Sequence, residues 1–381
     1  MEPDKKSFPI GLSFDDVLLF PSYAGFSRSE IDLSTKITKK ITLTLPFVSA
    51  PMDTVTESKL AISLAQLGGI GIIHRNLTVQ AQASEVKLVK NKKLLVGAAI
   101  GASKGFEERV EALIKAGADV IVVDSAHGYS KGVMDTTVYI KNKFPKIEVI
   151  AGNVATFDGA KAMINAGADG IRVGMGPGAI CTTRIISGMG VPQITAIMET
   201  SRAAKKAGIP IIADGGIKYS GDMVKAFAAG ASAVMMGGFF AAAAEAPGKI
   251  VNLRPEQVPN RFKSILNKKL KSYKFKQYDA MGSLAAMQRG AKIKSEDEFH
   301  GKNYKDRVMI AEGVESLVPL KGSVEDIIDQ AVGGIRSGMY YVGVKNIKEL
   351  WLKGKFMQIT QASLAESHPH DVLITNPGKN Y

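Results

Sequence analysis

The chain has 381 residues, 45% of them apolar, and a formal net charge of +13. That length suits one large barrel or two medium domains, and that apolar share excludes a chain too polar to bury a core. The single cysteine excludes an internal disulfide, and an N-terminus without the apolar stretch of a signal peptide fits a reducing cytoplasm.

Taken in chain order, apolar runs rich in Val and Ile recur at 46–49, 69–73, 95–101, 120–124, 149–153, 170–174, 209–214 and 233–237. Helical patterns lie between them. Phe106, Val110, Leu113 and Ile114 fall on one helix face by their spacing. Helix exits repeat as Ala116-Gly117-Ala118-Asp119, Ala166-Gly167-Ala168-Asp169 and Ala229-Gly230-Ala231-Ser232, each followed by a buried strand. Repeated βα units with near-continuous apolar strands predict a parallel sheet, and eight strands predict a closed (β/α)8 TIM barrel in one α/β domain over 1–381. A doubly wound open sheet is the alternative. No G-x-G-x-x-G follows the first strand, which counts against it. The longest uncharged run, 226–244, is mostly Ala and is broken by Gly230, Gly237 and Gly238. It fits a buried strand with its flanks better than a membrane span.

From 249 to 322 the rhythm breaks, and the segment reads as an excursion on the C-terminal side of the barrel, including a mobile flap. Lys268, Lys269, Lys271, Lys274 and Lys276 cluster here. Basic surfaces attract nucleic acid. No helix-turn-helix, zinc spacing or aromatic RNA-binding signature accompanies the charge, so the favoured reading is a solvated loop with general attraction for small anions.

On such a barrel, chemistry sits where strands end and βα loops begin. The polar residues at those ends are Asp53, Asp124, Ser125, His127, Asn153, Arg172 and Asp214. The stretch 174–184 carries Gly174, Gly176 and Gly178, then Cys181, Thr183 and Arg184. Glycines let backbone approach a ligand or ion closely, and exposed amides with a nearby cation favour a thiolate. Alone, this leaves Cys181 open between an inert small residue and a nucleophile. Gly215–Gly216 and Gly237–Gly238 follow the last two strands, as tight turns or as a phosphate site.

Over nearly its whole length the chain resembles the IMP dehydrogenase/GMP reductase family. The matching stretches are 14–19, 49–57, 68–74, 124–128, the Cys181 loop, 213–216, 281–283, 312–315 and 366–371. The resemblance implies that Cys181 attacks C2 of a purine nucleoside monophosphate, IMP or GMP, that Thr183 assists, and that Glu312 holds the base edge. It implies that Asp214 binds the ribose, that Gly216, Gly237, Gly238 and Tyr278 line the phosphate site, and that Met52, Asn153, Met281 and Gly282 surround the nucleotide. Asp124, Ser125, Gly174 and Gly176 would face the nicotinamide cofactor. Carbonyls of Gly176, Gly178 and Cys181, with Glu366, Ser367 and His368 of a neighbouring subunit, would hold potassium, which also implies a homotetramer. Many members carry a regulatory pair of nucleotide-binding (CBS) modules inside the barrel; here 86–97 leaves no room for them.

Two branches stay open. An IMP dehydrogenase oxidises IMP with NAD and hydrolyses the adduct to XMP; a GMP reductase uses NADPH and releases ammonia. Motif count favours the dehydrogenase. The Gly237–Gly238 pair and a missing Arg-Tyr pair between Met287 and Glu312 favour the reductase, because that Arg activates the hydrolytic water. Tyr304, Lys305 and Arg307 are the residues at hand to substitute. Ala179 stands where the family has a phosphate-binding Ser, a loss worth roughly 1.5–3 kcal/mol. The stretch 251–277 is longer than in typical members. A third reading, a weak or inactive nucleotide- or RNA-binding protein, counts least, because Cys181, Thr183 and Glu312 are all present.

Overall fold

The computed structural model describes residues 8–260, 262, 270–293, 309–372 and 374. Lys268, Lys269, Tyr304, Lys305, Arg307 and the gap left by the Arg-Tyr pair lie outside the described residues, as does most of the expected flap. Eight parallel strands close a barrel: β1 (Phe47–Ser49), β2 (Ile70–Ile73), β3 (Val96–Ile100), β4 (Val120–Asp124), β5 (Glu148–Val154), β6 (Gly170–Val173), β7 (Ile211–Asp214) and β8 (Ala233–Met236), with β8 pairing back onto β1. The expected strands are all present, within two residues of their expected ends.

Strand period two separates the two cores. Val48, Ile70, Ile72, Val120, Val122, Ile150, Ile212 and Met235 fill the barrel interior, while their neighbours Phe47, Ile73, Ile121, Val123, Val149, Ala151 and Val234 face the helices. Those helices are α1 (Ser58–Gln66), α2 (Val79–Lys90), α3 (Phe106–Ala116), α4 (Lys131–Lys143), α5 (Phe157–Asn165), α6 (Gln193–Ala207) and α7 (Ser220–Ala228). Helix α8 (Leu284–Ile293) lies outside the ring, and α9 (Val324–Val342) closes it between α7 and α1. In α9, Val324, Ile327, Ile328, Ala331, Ile335 and Met339 form one buried stripe; the Ser323 hydroxyl caps its start and Gly343, at φ +77°, ends it. The uncharged run 226–244 resolves into the end of α7, strand β8 and a short helical turn. No helix among the described residues is long and apolar enough to cross a membrane.

One element was not legible beforehand. A hairpin, Thr35–Lys36 with Thr42–Leu43, plugs the N-terminal mouth of the barrel with Ile37 and Leu43. Its tip is tied to strand starts: Lys39 N donates to Asp169 O, and Lys40 N to Glu148 Oε2.

The repeated helix exits have a side-chain reason. Asp119 accepts Lys90 Nζ (2.9 Å) and the Val96 amide (2.9 Å); Asp169 accepts Lys141 Nζ (2.7 Å) and the Val149 amide (3.0 Å). Each Asp ties a helix end to the start of the neighbouring strand. Asp169 is 3% exposed, so its loss leaves the buried Val149 amide without its acceptor and takes from Lys141 its carboxylate partner. Asp169→Ala is expected to lower unfolding stability by about 2–3 kcal/mol. Urea melts check this, with kcat unchanged because the residue lies opposite the strand ends that carry the site.

The region 249–322 corrects the sequence reading. It is not bare of core elements: β9 (Ile250–Leu253), β10 (Tyr273–Asp279) and β11 (Glu315–Pro319) form an antiparallel sheet with its own small core of Val258, Tyr273 and Phe275. The lysines hid it. Lys274 points to solvent on β10, but Lys276 is 3% exposed and donates to the carbonyl of Ala246, so it does not belong to a solvated cluster. The long stretch 251–277 includes β9, part of β10 and the residues joining them.

Candidate active site

The Cys181 loop is held from three sides. Gly174 starts it at φ +147°, and a Cβ there would lie 2.3 Å from the Asp214 carbonyl, so only glycine lets β6 turn out against β7. Gln193, 2% exposed, donates to the carbonyls of Val173 and Asp214 beneath that turn. Past the loop, Val314 N donates to Ile180 O and Thr182 N to Glu312 O, so the cysteine segment pairs with 312–314. That segment in turn meets the turn after β10 through Glu312 N to Gly282 O and Ala280 N to Val314 O.

This framework puts Cys181 at the end of a short relay. Its half-buried thiol donates to Thr183 Oγ1 (3.2 Å), and Thr183 Oγ1 donates to Glu312 Oε2 (2.8 Å). Residues 129 positions apart in sequence thus form one thiol–hydroxyl–carboxylate line. Glu312, expected at a base edge, accepts from Thr183 through its Oε2.

Beside the relay lies a polar network. Arg172 on β6 donates Nε to Asp214 Oδ2 (2.9 Å) and Nη1 to Asp124 Oδ1. Asn153 Nδ2 donates to Asp214 Oδ2 (2.8 Å) and to the Gly174 carbonyl (2.9 Å), leaving its own buried Oδ1 without a partner. Arg75 Nε lies 3.6 Å from Asp124 Oδ2. Burial works against the Arg172 charge, but Asp214 and then Asp124 outweigh it, and the guanidinium pKa is raised. Two strand-end carboxylates thus remain compensated in a nearly dry rim. Ser125 joins through its backbone, donating to Gly152 O and accepting from Asn153 N, while His127 is exposed.

The expected phosphate end also converges. A Cβ on Gly237 would lie 2.5 Å from the Tyr278 hydroxyl and 3.1 Å from Met52 Sδ. Gly238 adjoins the same ring, and Gly216 packs on Pro177 of the cysteine loop. Burial, then the charges of Asp214 and Cys181, push the Tyr278 pKa up, so its hydroxyl stays a neutral donor. Met281 sits in the half-buried turn with Gly282 that reaches Glu312. Gly176 and Gly178 lie in the cysteine loop, and Gly178 O accepts the Cys181 amide (3.1 Å). Glu366, Ser367 and His368 lie at and just past the end of a short C-terminal helix, Gln361–Glu366. Ser367 and His368 bond back into their own helical turn, and the His368 ring meets Tyr219.

Sequence reasoning missed Arg75, Gln193 and Arg289. Arg75 follows the 68–74 motif just past β2, and the strand-end rule could have found it. Gln193 and Arg289 sit on helices, where nothing in the pattern marks them.

Comparison with known proteins agrees with this geometry. The family model described as IMP dehydrogenase / GMP reductase domain matches residues 11–370. The chain is 40% identical to the inosine-5'-monophosphate dehydrogenase of Aquifex aeolicus, with 99% of each chain covered. It is 42% identical to that of Cryptosporidium parvum (99% of each) and 41% identical to that of Borreliella burgdorferi (95% and 97%). The Aquifex alignment runs over 505 positions, more than the 381 residues of this chain, so that relative carries inserted sequence absent here.

Proposed function

This chain belongs to the IMP dehydrogenase / GMP reductase family, and on that footing we propose that it oxidises IMP to XMP with NAD, through a covalent bond from Cys181 to C2 of the base. The observation that carries the chemistry is the line from Cys181 Sγ through Thr183 Oγ1 to Glu312 Oε2. The thiol proton leaves along it as sulfur adds to C2. The C2 hydrogen departs as hydride, for which bound NAD supplies the acceptor. Glu312 passes the thiol proton to solvent; water then adds to C2, its proton follows Thr183 to Glu312, and the C–S bond breaks to release XMP as the leaving sulfur takes the proton back.

The same line answers the argument for the reductase. A missing Arg-Tyr pair removes one base for water, but Thr183 and Glu312 form another within reach of the adduct. The relatives are named dehydrogenases, and NADPH with GMP falls away as the working pair.

The remaining roles follow the pocket. Asp214 and the unpartnered Oδ1 of Asn153 suit ribose hydroxyls, and Tyr278 with Gly216, Gly237 and Gly238 suits the phosphate. Met52, Met281 and Gly282 border the nucleotide. Asp124, Ser125, Gly174 and Gly176 face the cofactor. Potassium would be held by the hard carbonyl oxygens of Gly176, Gly178 and Cys181, with Glu366, Ser367 and His368 of another subunit. Exposed Ile185 (82%), Met189 (59%) and Phe8 (94%) support a homo-oligomer, read as a tetramer. The chain passes from α2 into β3 through 91–95, which supports a single catalytic domain without inserted regulatory modules. The lone cysteine fits a cytoplasmic protein.

The test is a paired assay. IMP, NAD and potassium are expected to give NADH and XMP over many turnovers, while GMP with NADPH gives no NADPH oxidation. IMP and ammonia formed from GMP would assign the reductase. A single stoichiometric burst of NADH would show that Thr183 and Glu312 do not activate water.

A further inference from the structure

Two carboxylates beside the nucleotide pocket share one guanidinium. Arg289 on α8 donates Nε to Asp53 Oδ2 (2.9 Å) and Nη2 to both Asp53 Oδ1 (3.2 Å) and Asp279 Oδ2 (3.0 Å). The Asp53 side chain is 8% exposed and that of Asp279 1%. Asn76 Nδ2 braces the cluster, donating to Asp53 Oδ2 and to the Ala286 carbonyl, both at 3.0 Å. Gln277 Nε2 adds a 2.6 Å bond to Asp279 Oδ2, and the Asp279 amide donates to Thr54 Oγ1. Asp279 Oδ1 is buried without a partner, so this carboxylate leans on Arg289 for its charge compensation.

Position gives the cluster its consequence. Asp53 follows Met52, and Asp279 follows Tyr278, the two side chains that converge on Gly237. From Asp279 the backbone runs directly into Ala280 and Gly282, which bond to Val314 and Glu312 and through them to the cysteine loop. Arg289 therefore fastens the segment 278–282 to the loop after β1. The cofactor half of the rim, Asp124, Ser125 and Arg172, takes no bond from it.

We propose that Arg289 is a positioning residue for nucleotide recognition: it sets the separation of Met52 from Tyr278 by clamping Asp53 to Asp279, and acts on substrate only through them. The inference rests on the reading of Met52, Tyr278 and Gly282 as nucleotide contacts. A guanidinium can hold both carboxylates in one plane; an ammonium is a point charge that serves one well at a time.

Steady-state kinetics and IMP calorimetry on Arg289→Met and Arg289→Lys test it. Arg289→Met is expected to raise the KM and Kd for IMP about tenfold or more. The KM for NAD stays within about twofold, since the cofactor contacts lie elsewhere. Arg289→Lys recovers part of the IMP affinity. An unchanged IMP KM in folded Arg289→Met overturns the proposal. So does a parallel rise in both KM values with a fall in alkylatable Cys181, which marks general loosening. If Arg289→Met does not fold, an unaltered IMP KM in Arg289→Lys overturns it instead. A parent protein that binds no IMP refutes the nucleotide reading and this proposal together; a parent that turns over IMP beside an indifferent variant overturns the clamp alone.

Discussion

Cys181→Ala is expected to abolish turnover while leaving IMP affinity within about threefold of the parent. Cys181 is the one thiol of the chain, and Thr183, the neighbouring hydroxyl 3.2 Å away, is a far weaker nucleophile than sulfur. Removing a nucleophile from an assembled site costs about 10⁴-fold or more in kcat, because the remaining groups can only position the substrate. Binding survives for a different reason. On the proposed reading the nucleotide is gripped by Asp214, Asn153, Tyr278 and the glycine turns, and the loop keeps its backbone bonds through Ile180 and Thr182. Stopped-flow mixing of the variant with IMP and NAD should show no NADH burst, and calorimetry should still register IMP. Residual turnover within tenfold of the parent would remove the covalent mechanism.

Glu312→Gln is expected to separate the two halves of the reaction. Glutamine keeps the length of the side chain and an oxygen to accept the Thr183 hydroxyl, so the loop contacts through the Glu312 backbone persist. It cannot take up a proton. Loss of a general base costs about 10²–10⁴-fold, and both proton transfers in the scheme pass through this carboxylate. Rapid quench should find covalent nucleotide accumulating if the hydrolytic step suffers more, with a burst of NADH and then slow release. Thr183→Val interrupts the same line one atom earlier, so the double variant should be little worse than either single one, as expected for residues acting as a unit. Additive losses would show that Thr183 and Glu312 work separately.

Much of this was legible in the chain. The eight strands announced themselves as short Val/Ile runs ending in polar residues, because parallel strands are buried on both faces and must be apolar throughout. The cysteine loop was legible for a similar reason: three glycines near a lone thiol are expensive in chain entropy unless backbone must come close to something. The plug hairpin and the β9–β10–β11 sheet were less visible. Each is short, and on β10 the lysines gave a polar signal that one buried member, Lys276, contradicts.

The sequence by itself determined the barrel and the order of its strands, since these depend on local pattern that a linear chain displays, and through the family resemblance it singled out Cys181 as the candidate nucleophile. Only the tertiary structure decided who serves whom. It joined Thr183 to Glu312, placed Arg172 between Asp124 and Asp214, turned Asp53 and Asp279 toward Arg289, and moved Lys276 from surface to interior. Pairings between distant residues are set by which loops the closed barrel brings to the same rim, and a charge declares its partner only when burial makes it need one.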